Sequence, residues 1–68
     1  MNSTLHDIGS AAGEVWRYLD ANGPTSTDTM KRKLKMSSDR FYAAIGWLAR
    51  EDKVQFQTQG RKTIVSLK

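Results

Sequence analysis

Basic side chains cluster in one short segment that could attract phosphate. The run "KRKLK" places Lys31, Arg32, Lys33 and Lys35 around a single leucine. Each phosphate that Lys or Arg neutralises releases condensed counterions, which is why such runs are typical of nucleic-acid-binding proteins. The alternative is a solvated helix face. Because the run directly precedes a segment with helical spacing, we favour phosphate contact for Lys31 and Lys35.

The residues that follow could extend the same chemistry. Ser37 and Ser38 could donate hydrogen bonds to phosphate oxygens from the start of a helix, where free backbone amides also favour anions. Arg40 and Tyr42 lie within the next turn and would flank a groove of duplex DNA. The segment 31–42 is therefore the first candidate for a nucleic-acid contact.

Charge is distributed unevenly along the 68 residues, whose formal net charge is +4. Residues 1–29 carry −3, since a single Arg opposes four carboxylates. Residues 30–68 carry +7, since ten Lys and Arg oppose three carboxylates. This division indicates a polyanion-facing second half and a supporting first half. Charge alone is equally compatible with a Lys-rich solvated surface.

Apolar residues at helical spacing predict three helices, over about residues 5–22, 26–34 and 38–52. About three or four residues join the second helix to the third, which is the spacing of a helix-turn-helix. Side chains that can cap free amides mark the helix starts, and a glycine followed by a proline stops the first helix. These residues are Thr4, Ser26 or Thr27, Ser37 or Ser38, and Gly23 with Pro24.

After residue 53 the apolar period changes to two, which predicts a hairpin with strands at about residues 54–58 and 62–67. The segment "PTS" could add a short third strand beside it. Three helices followed by a hairpin make an α+β fold, a winged helix-turn-helix, and residues 1–68 form a single domain of this kind.

The strand alternation also predicts a pairing register. With the turn at residues 59–60, Phe56 faces Thr63 and Val54 faces Val65. The apolar residues then share one face, which we expect to cover the helices.

Arg61 and Lys62 lie at the tip of the predicted hairpin. A basic hairpin tip can enter the minor groove of DNA or follow the phosphate backbone. The alternative is that these cations protect an exposed sheet edge from strand addition. We favour DNA contact for both residues.

Three segments resemble a known family: "IGSAAGEVWRYL", "KMSSDRFYAAIGWLARED" and the strand that follows. They are similar to small prokaryotic winged helix-turn-helix domain proteins of unknown function, and "AIGWLARED" is the most specific part. The resemblance implies the winged-helix fold and DNA binding. It also implies a reading helix at residues 38–52 and a wing at residues 57–62.

The outward face of the third helix carries few groups that read bases. It consists of Asp39, Ala43, Gly46 and Arg50, whereas base readout favours Arg, Lys, Asn and Gln. This face suits close approach better than dense hydrogen bonding. Glycine inside a helix costs about 1 kcal/mol relative to alanine, so Gly46 needs a reason. We favour packing against a neighbouring element over contact with DNA or with another protein.

Two tryptophans and one isoleucine have less obvious positions. Trp16 follows the apolar stripe of the first helix and is predicted to lie in the core. Trp47 lies on the flank of the third helix, where it covers the core edge or anchors a partner. Ile64 falls on the polar side of the hairpin, so a homodimer contact through Trp47 and Ile64 is an alternative. Glu51 and Asp52 at the third helix's end would pair with the basic second helix.

Catalysis and metal binding have almost no support in this composition. The sequence has no Cys and a single histidine, His6, and it lacks a glycine-rich phosphate loop. Its longest uncharged stretch, "FYAAIGWLA", is far shorter than the ~20 residues a bilayer crossing needs. We therefore expect a cytoplasmic protein with no enzymatic activity, no cofactor, no small-molecule ligand and no membrane segment.

These observations together favour a winged-helix protein that binds duplex DNA through backbone-dominated contacts and regulates transcription. The alternative is a protein-interaction module, such as a homodimer, that does not bind DNA.

Overall fold

A computed structural model describes residues 3–68, with side chains from residue 8 onward. It confirms the α+β winged helix-turn-helix prediction, with helix and strand bounds that differ from the predicted ones by a few residues. The Thr4 cap and His6 lie outside the described side chains. In chain order the elements are α1 (Ser3–Asn22), β1 (Thr25–Ser26), α2 (Thr27–Leu34), α3 (Ser38–Arg50), β2 (Val54–Gln59) and β3 (Lys62–Leu67).

Gly23 ends α1 as the sequence predicts. Its φ is +78°, a left-handed conformation that glycine adopts at little cost, and its N–H donates to the Leu19 carbonyl at 2.8 Å. Ser26 then caps α2 by accepting a hydrogen bond from the Thr29 N–H at 3.3 Å. The two residues of β1 pair with β3, which confirms the short third strand.

The turn between α2 and α3 is three residues long, as expected for a helix-turn-helix. Met36, at its centre, is buried. Ser37 caps α3, since its hydroxyl accepts from the Arg40 N–H at 3.2 Å. Met36 and Phe41 occupy the two positions of a hydrophobic staple around this cap, and both belong to the core. The turn therefore fixes the direction in which α3 leaves α2.

The sheet has the order β1-β3-β2, and both pairings are antiparallel. The predicted register is wrong by two residues: Phe56 faces Val65, and Val54 faces Leu67. The reason is that Gly60 and Arg61 form the turn, with Gly60 at φ +61° as a two-residue hairpin requires. A shift of two positions preserves side-chain alternation, so the assignment of residues to the two faces still holds.

The core lies where α1 and α3 pack on each other and on the start of the hairpin, and Phe41 is its largest fully buried described side chain. Two predicted core residues are not buried: Trp16 is 38% exposed and Phe56 is 48% exposed. In β2 only Val54 is buried, so the helices cover the start of this strand and not its middle. Periodicity identified the apolar face correctly and overestimated its coverage. The buried residues are Ala11, Ala12, Val15, Leu19, Thr27, Met30, Met36, Phe41, Ala44, Ile45, Leu48, Val54 and Val65.

The end of α3 also differs from the prediction. The helix ends at Arg50, and Asp52 follows in a left-handed conformation with φ +60°. The Asp52 carboxylate accepts a hydrogen bond from Lys68 Nζ at 2.6 Å, so the predicted pairing of Asp52 with α2 is wrong. The β3 terminus returns beside the end of α3, where the Lys68 N–H donates to the Lys53 carbonyl.

Within residues 3–68, no helix has the length and apolar character to cross a lipid bilayer. The described side chains also contain no group of three His, Asp or Glu residues arranged to hold a metal ion.

The unequal burial of the two phenylalanines predicts unequal costs of truncation. Phe41→Ala should destabilise the domain by about 3–5 kcal/mol, because it empties a fully buried site. Such a loss is large enough to unfold most of a domain this small. Phe56→Ala should cost about 1 kcal/mol or less, since nearly half of that side chain already contacts water. Circular dichroism should show Phe41→Ala largely unfolded without urea, whereas urea denaturation of Phe56→Ala should give a full transition. Equal losses of stability in the two variants would contradict the burial pattern.

Candidate nucleic-acid interface

A lysine, a serine and a tyrosine meet where α2 approaches the start of α3. Lys31 Nζ donates to Ser38 Oγ at 3.2 Å and lies 5.4 Å from the centre of the Tyr42 ring. That distance is typical of a cation–π contact. The Tyr42 ring packs edge-on against Phe41, with ring centroids 5.2 Å apart, while the Tyr42 residue stays 50% exposed. We call these three residues, Lys31, Ser38 and Tyr42, the junction cluster.

The junction cluster holds a positive charge beside the positive end of a helix dipole. Ser38 is the first residue of α3, so Lys31 Nζ lies close to the free amides of the first helical turn. The only carboxylate in that turn is Asp39. A phosphate here could accept from the ammonium, from serine hydroxyls and from backbone N–H groups. The sequence identified Lys31, Ser38 and Tyr42 separately, and the structure brings them together.

Lys35 lies in the turn itself, exposed and in an unusual backbone conformation. Its φ is +55°, in the left-handed region, and its N–H donates to the Arg32 carbonyl at 3.2 Å. Helices commonly end with such a residue, but it is usually glycine, because a Cβ raises the energy of this conformation. The exposed lysine therefore occupies a position at which glycine is the more stable choice.

Arg40 lies on the opposite flank of α3 from Tyr42, since two residues along a helix turn the side chain by about 200°. One of its guanidinium nitrogens lies 3.4 Å from Glu14 Oε2 of α1, and both side chains are partly exposed. Arg40 thus links α3 to α1. The sequence predicts that Arg40 contacts phosphate, but its link to α1 lies on the other flank of α3 from Tyr42 of the junction cluster.

The outward face of α3 is open around Gly46. A Cβ built on Gly46 would meet no atom within 4 Å beyond its own helix, and the residue is exposed. The predicted reason for this glycine, close packing against a neighbouring element, is therefore wrong. Ala43 is partly buried on the same face, while Asp39 and Arg50 are exposed. The face is shallow and presents only one cation to a partner.

The hairpin tip presents two exposed cations beyond the core. Arg61 follows Gly60 in the turn, and Lys62 begins β3, paired with Gln59. Both side chains are exposed, as a contact with DNA requires. Arg61 and Lys62 form a second basic site, which contains no residue of α2 or α3.

A second surface groups the two tryptophans. Trp16 of α1 and Trp47 of α3 line an open cleft of about 370 Å³, with Gly9 and Gly13 on the α1 side. The tryptophans are 38% and 39% exposed, so neither is a core residue. Ile64 is partly buried and pairs with Gln57 and Ser26 in the sheet. It is not among the residues that line the cleft with Trp47.

Comparisons with known proteins agree with this architecture. Residues 1–67 match the family described as "Winged helix-turn-helix domain (DUF2582)", and the chain belongs to that family. The uncharacterized protein MJ1608 of Methanocaldococcus jannaschii is 35% identical over 63 residues, which cover 90% of each chain. The resemblance inferred from the sequence is thereby confirmed.

Two solved structures have the same fold. The solution NMR structure of BT2368 from Bacteroides thetaiotaomicron has a TM-score of 0.81 and 31% identity, covering 91% of this chain and 76% of its own. A chain of HOP2 has a TM-score of 0.74 and 27% identity, covering 85% of this chain and 98% of its own. The HOP2 structure was described as giving insight into its DNA recognition and protein interaction domains and its homologous DNA pairing.

The left-handed conformation of Lys35 predicts that glycine there stabilises the fold. Lys35→Gly should raise the free energy of unfolding by about 1 kcal/mol, because the Cβ strain is removed. Lys35→Ala is the matched control: it removes the same charge and keeps a Cβ, so its stability should stay within about 0.5 kcal/mol of the original. Urea denaturation measures both, and equal stabilities of the two variants would show that position 35 is unstrained.

Proposed function

We propose that this protein binds duplex DNA through its sugar–phosphate backbone and acts as a regulator of transcription. The α2–α3 junction would supply one set of contacts and the hairpin tip a second. The observation that carries the proposal is the junction cluster, in which Lys31 is held by Ser38 and Tyr42 at the start of α3. A lysine that is held beside free helix amides favours the binding of an anionic ligand.

The family and the structural neighbour support the same proposal. The winged helix-turn-helix is a fold in which a helix can enter the major groove of DNA. HOP2, which has a similar fold, was described in terms of DNA recognition. We further propose that the role is binding without catalysis, in the cytoplasm, where a regulator has access to the chromosome.

The α3 face supports weak sequence preference in this proposal. Exposed Gly46 and partly buried Ala43 cannot make hydrogen bonds to base edges through their side chains. Because both side chains are small, the helix backbone can approach DNA closely and make more contacts with phosphate and sugar. Arg50 is the one side chain of this face that could make a bidentate contact with guanine.

A protein-interaction role is the alternative, and the tryptophan cleft favours it. Exposed Trp side chains are enriched among the residues that dominate binding energies at protein interfaces. In this alternative the positive charge serves solubility or an acidic partner. The alternative predicts no affinity for random duplex DNA even at low salt.

The proposal predicts that DNA affinity falls steeply as salt rises. The observed association constant falls with a log–log slope near −0.9 for each neutralised phosphate. Contacts by Lys31, Lys35, Arg61 and Lys62 would give a slope of about −3.5. The double variant Arg61→Ala/Lys62→Ala should weaken binding to all sequences alike and reduce the slope by about 2. Fluorescence anisotropy with a random duplex across a salt series measures these values.

Arg17 and Lys53 also line the tryptophan cleft, away from both proposed DNA contacts. The matched control for this experiment is therefore the double variant Arg17→Ala/Lys53→Ala. The same loss of net charge should change the slope by less than about 0.5, because these residues would make no phosphate contact. Equal effects of the two double variants would mean that net charge, and not a defined surface, attracts DNA. An unchanged affinity after Arg61→Ala/Lys62→Ala would remove the hairpin tip from the mechanism.

The open surroundings of Gly46 permit a second test with a matched pair of variants. Gly46→Ala and Gly9→Ala should each stabilise the domain by up to about 1 kcal/mol, because both glycines lie inside helices with free space around the new methyl. Only Gly46→Ala should weaken DNA binding, by roughly fivefold, since its methyl would enter the DNA interface. Urea denaturation and anisotropy measure the two effects. A DNA affinity unchanged by Gly46→Ala would show that this face does not approach DNA closely.

A further inference from the structure

The outer edge of β2 has free backbone hydrogen-bonding groups. β2 is an edge strand of the sheet, and among residues 3–68 no strand pairs with its outer side. The Lys68 N–H donates to the Lys53 carbonyl, and this pair continues the β2–β3 register. In an antiparallel pair the bonded positions alternate, so residues 55, 57 and 59 bond to β3. The N–H and C=O groups of Val54, Phe56 and Thr58 therefore point outward along the edge.

This edge lacks the features by which proteins usually protect free strands. Such features are charged side chains, proline, bulges or a very short strand. The six residues of β2, "VQFQTQ", contain no charge and no proline, although residues 30–68 carry ten Lys and Arg. At the centre of the edge the Phe56 residue is 48% exposed. A neutral, six-residue edge with an exposed aromatic residue is suited to strand addition.

We propose that two copies of this chain associate by antiparallel pairing of their β2 strands, with the two-fold axis beside Phe56. Phe56 then faces Phe56 of the second copy, and Val54 faces Thr58. On the opposite face of the joined sheet Gln55 faces Gln57. The two three-stranded sheets become one continuous six-stranded sheet.

Among the registers that pair outward-pointing residues, this one forms the most hydrogen bonds, because it pairs all three such residues of each copy. The pairs it forms across the axis, Phe56 with itself and Val54 with Thr58, use the backbone groups that point outward, giving about six new hydrogen bonds. The same register places residues of the apolar face opposite each other, because directly paired residues share one side of a sheet. The exposed Phe56 rings thus cover each other.

Electrostatics favours the edge of β2 over the cationic surfaces as the place where two copies meet. Each copy has a formal net charge of +4, so two copies repel wherever their cations meet. The segment 54–58 is neutral, so antiparallel pairing of two such segments brings no like charges together. The basic hairpin tip, Arg61 and Lys62, lies outside the paired segment. The paired segment contains none of the residues proposed to contact DNA, so self-association can be tested in the absence of DNA.

Cysteine cross-linking tests the register directly, because the chain contains no Cys. In the proposed dimer the Cα atoms of the two Phe56 residues lie about 5.5 Å apart, within the range that a disulfide can bridge. The control is Thr58→Cys, an exposed position on the same face of β2 as Phe56, whose two Cα atoms would lie about 14 Å apart across the axis. Mild oxidation of Phe56→Cys should give a disulfide-linked dimer at least tenfold faster than oxidation of Thr58→Cys. Equal rates would overturn the register.

Sedimentation equilibrium of the unmodified chain tests the association itself. At about 100 µM, where complexes of micromolar Kd are populated, we expect a dimer. Phe56→Lys should abolish the dimer, because two charges would meet at the axis, and Phe56 is exposed enough for the fold to persist. Trp47→Ala and Ile64→Lys should remain dimeric. A monomeric unmodified chain would overturn the proposal, and so would a dimer that Trp47→Ala or Ile64→Lys dissociates.

Discussion

The three-residue turn between α2 and α3 is the constraint on which the rest of the structure depends. Met36 buries its side chain in the core while Ser37 caps the next helix, so the chain can leave the turn in only one direction. That direction brings the start of α3 back alongside α2. The contact of Lys31 with Ser38 and Tyr42 follows from this return, because the residues come from two helices that the turn holds together. A longer or uncapped turn would leave the lysine free in solvent.

The surfaces of the domain divide according to what the core leaves uncovered. The core takes one stripe of apolar residues from each helix, together with a few hairpin residues. The remaining faces of these elements are exposed and can contact partners. The α2–α3 junction and the hairpin tip are cationic, the edge of β2 is neutral, and the tryptophan cleft between α1 and α3 is aromatic. One small domain therefore presents four surfaces with three kinds of chemistry. The proposals for DNA and for a second copy use separate ones.

Much of the fold could be predicted from the sequence, because its signals are local. Ser26 and Ser37 cap helices where hydroxyl residues precede apolar runs, and Gly23 ends α1 where glycine precedes proline. The remainder depended on which residues form the hairpin turn and on tertiary geometry. The hairpin register failed because the turn centres on Gly60 and Arg61, and the coverage of Phe56 and Trp16 depends on how far neighbouring elements extend. The explanation of Gly46 failed for the same reason. The Lys31–Tyr42 contact was recoverable in part, since a short turn already required these helices to meet.

Mapping the DNA-binding surface by nuclear magnetic resonance tests the central claim most directly. When a ¹⁵N-labelled sample is titrated with random duplex DNA at low salt, the amide signals of residues 31–46 and of residues 59–63 should shift. The signals of α1 and of the tryptophan cleft should stay unchanged. Shifts concentrated at Trp16 and Trp47, or the absence of any shift at low salt, would contradict the account.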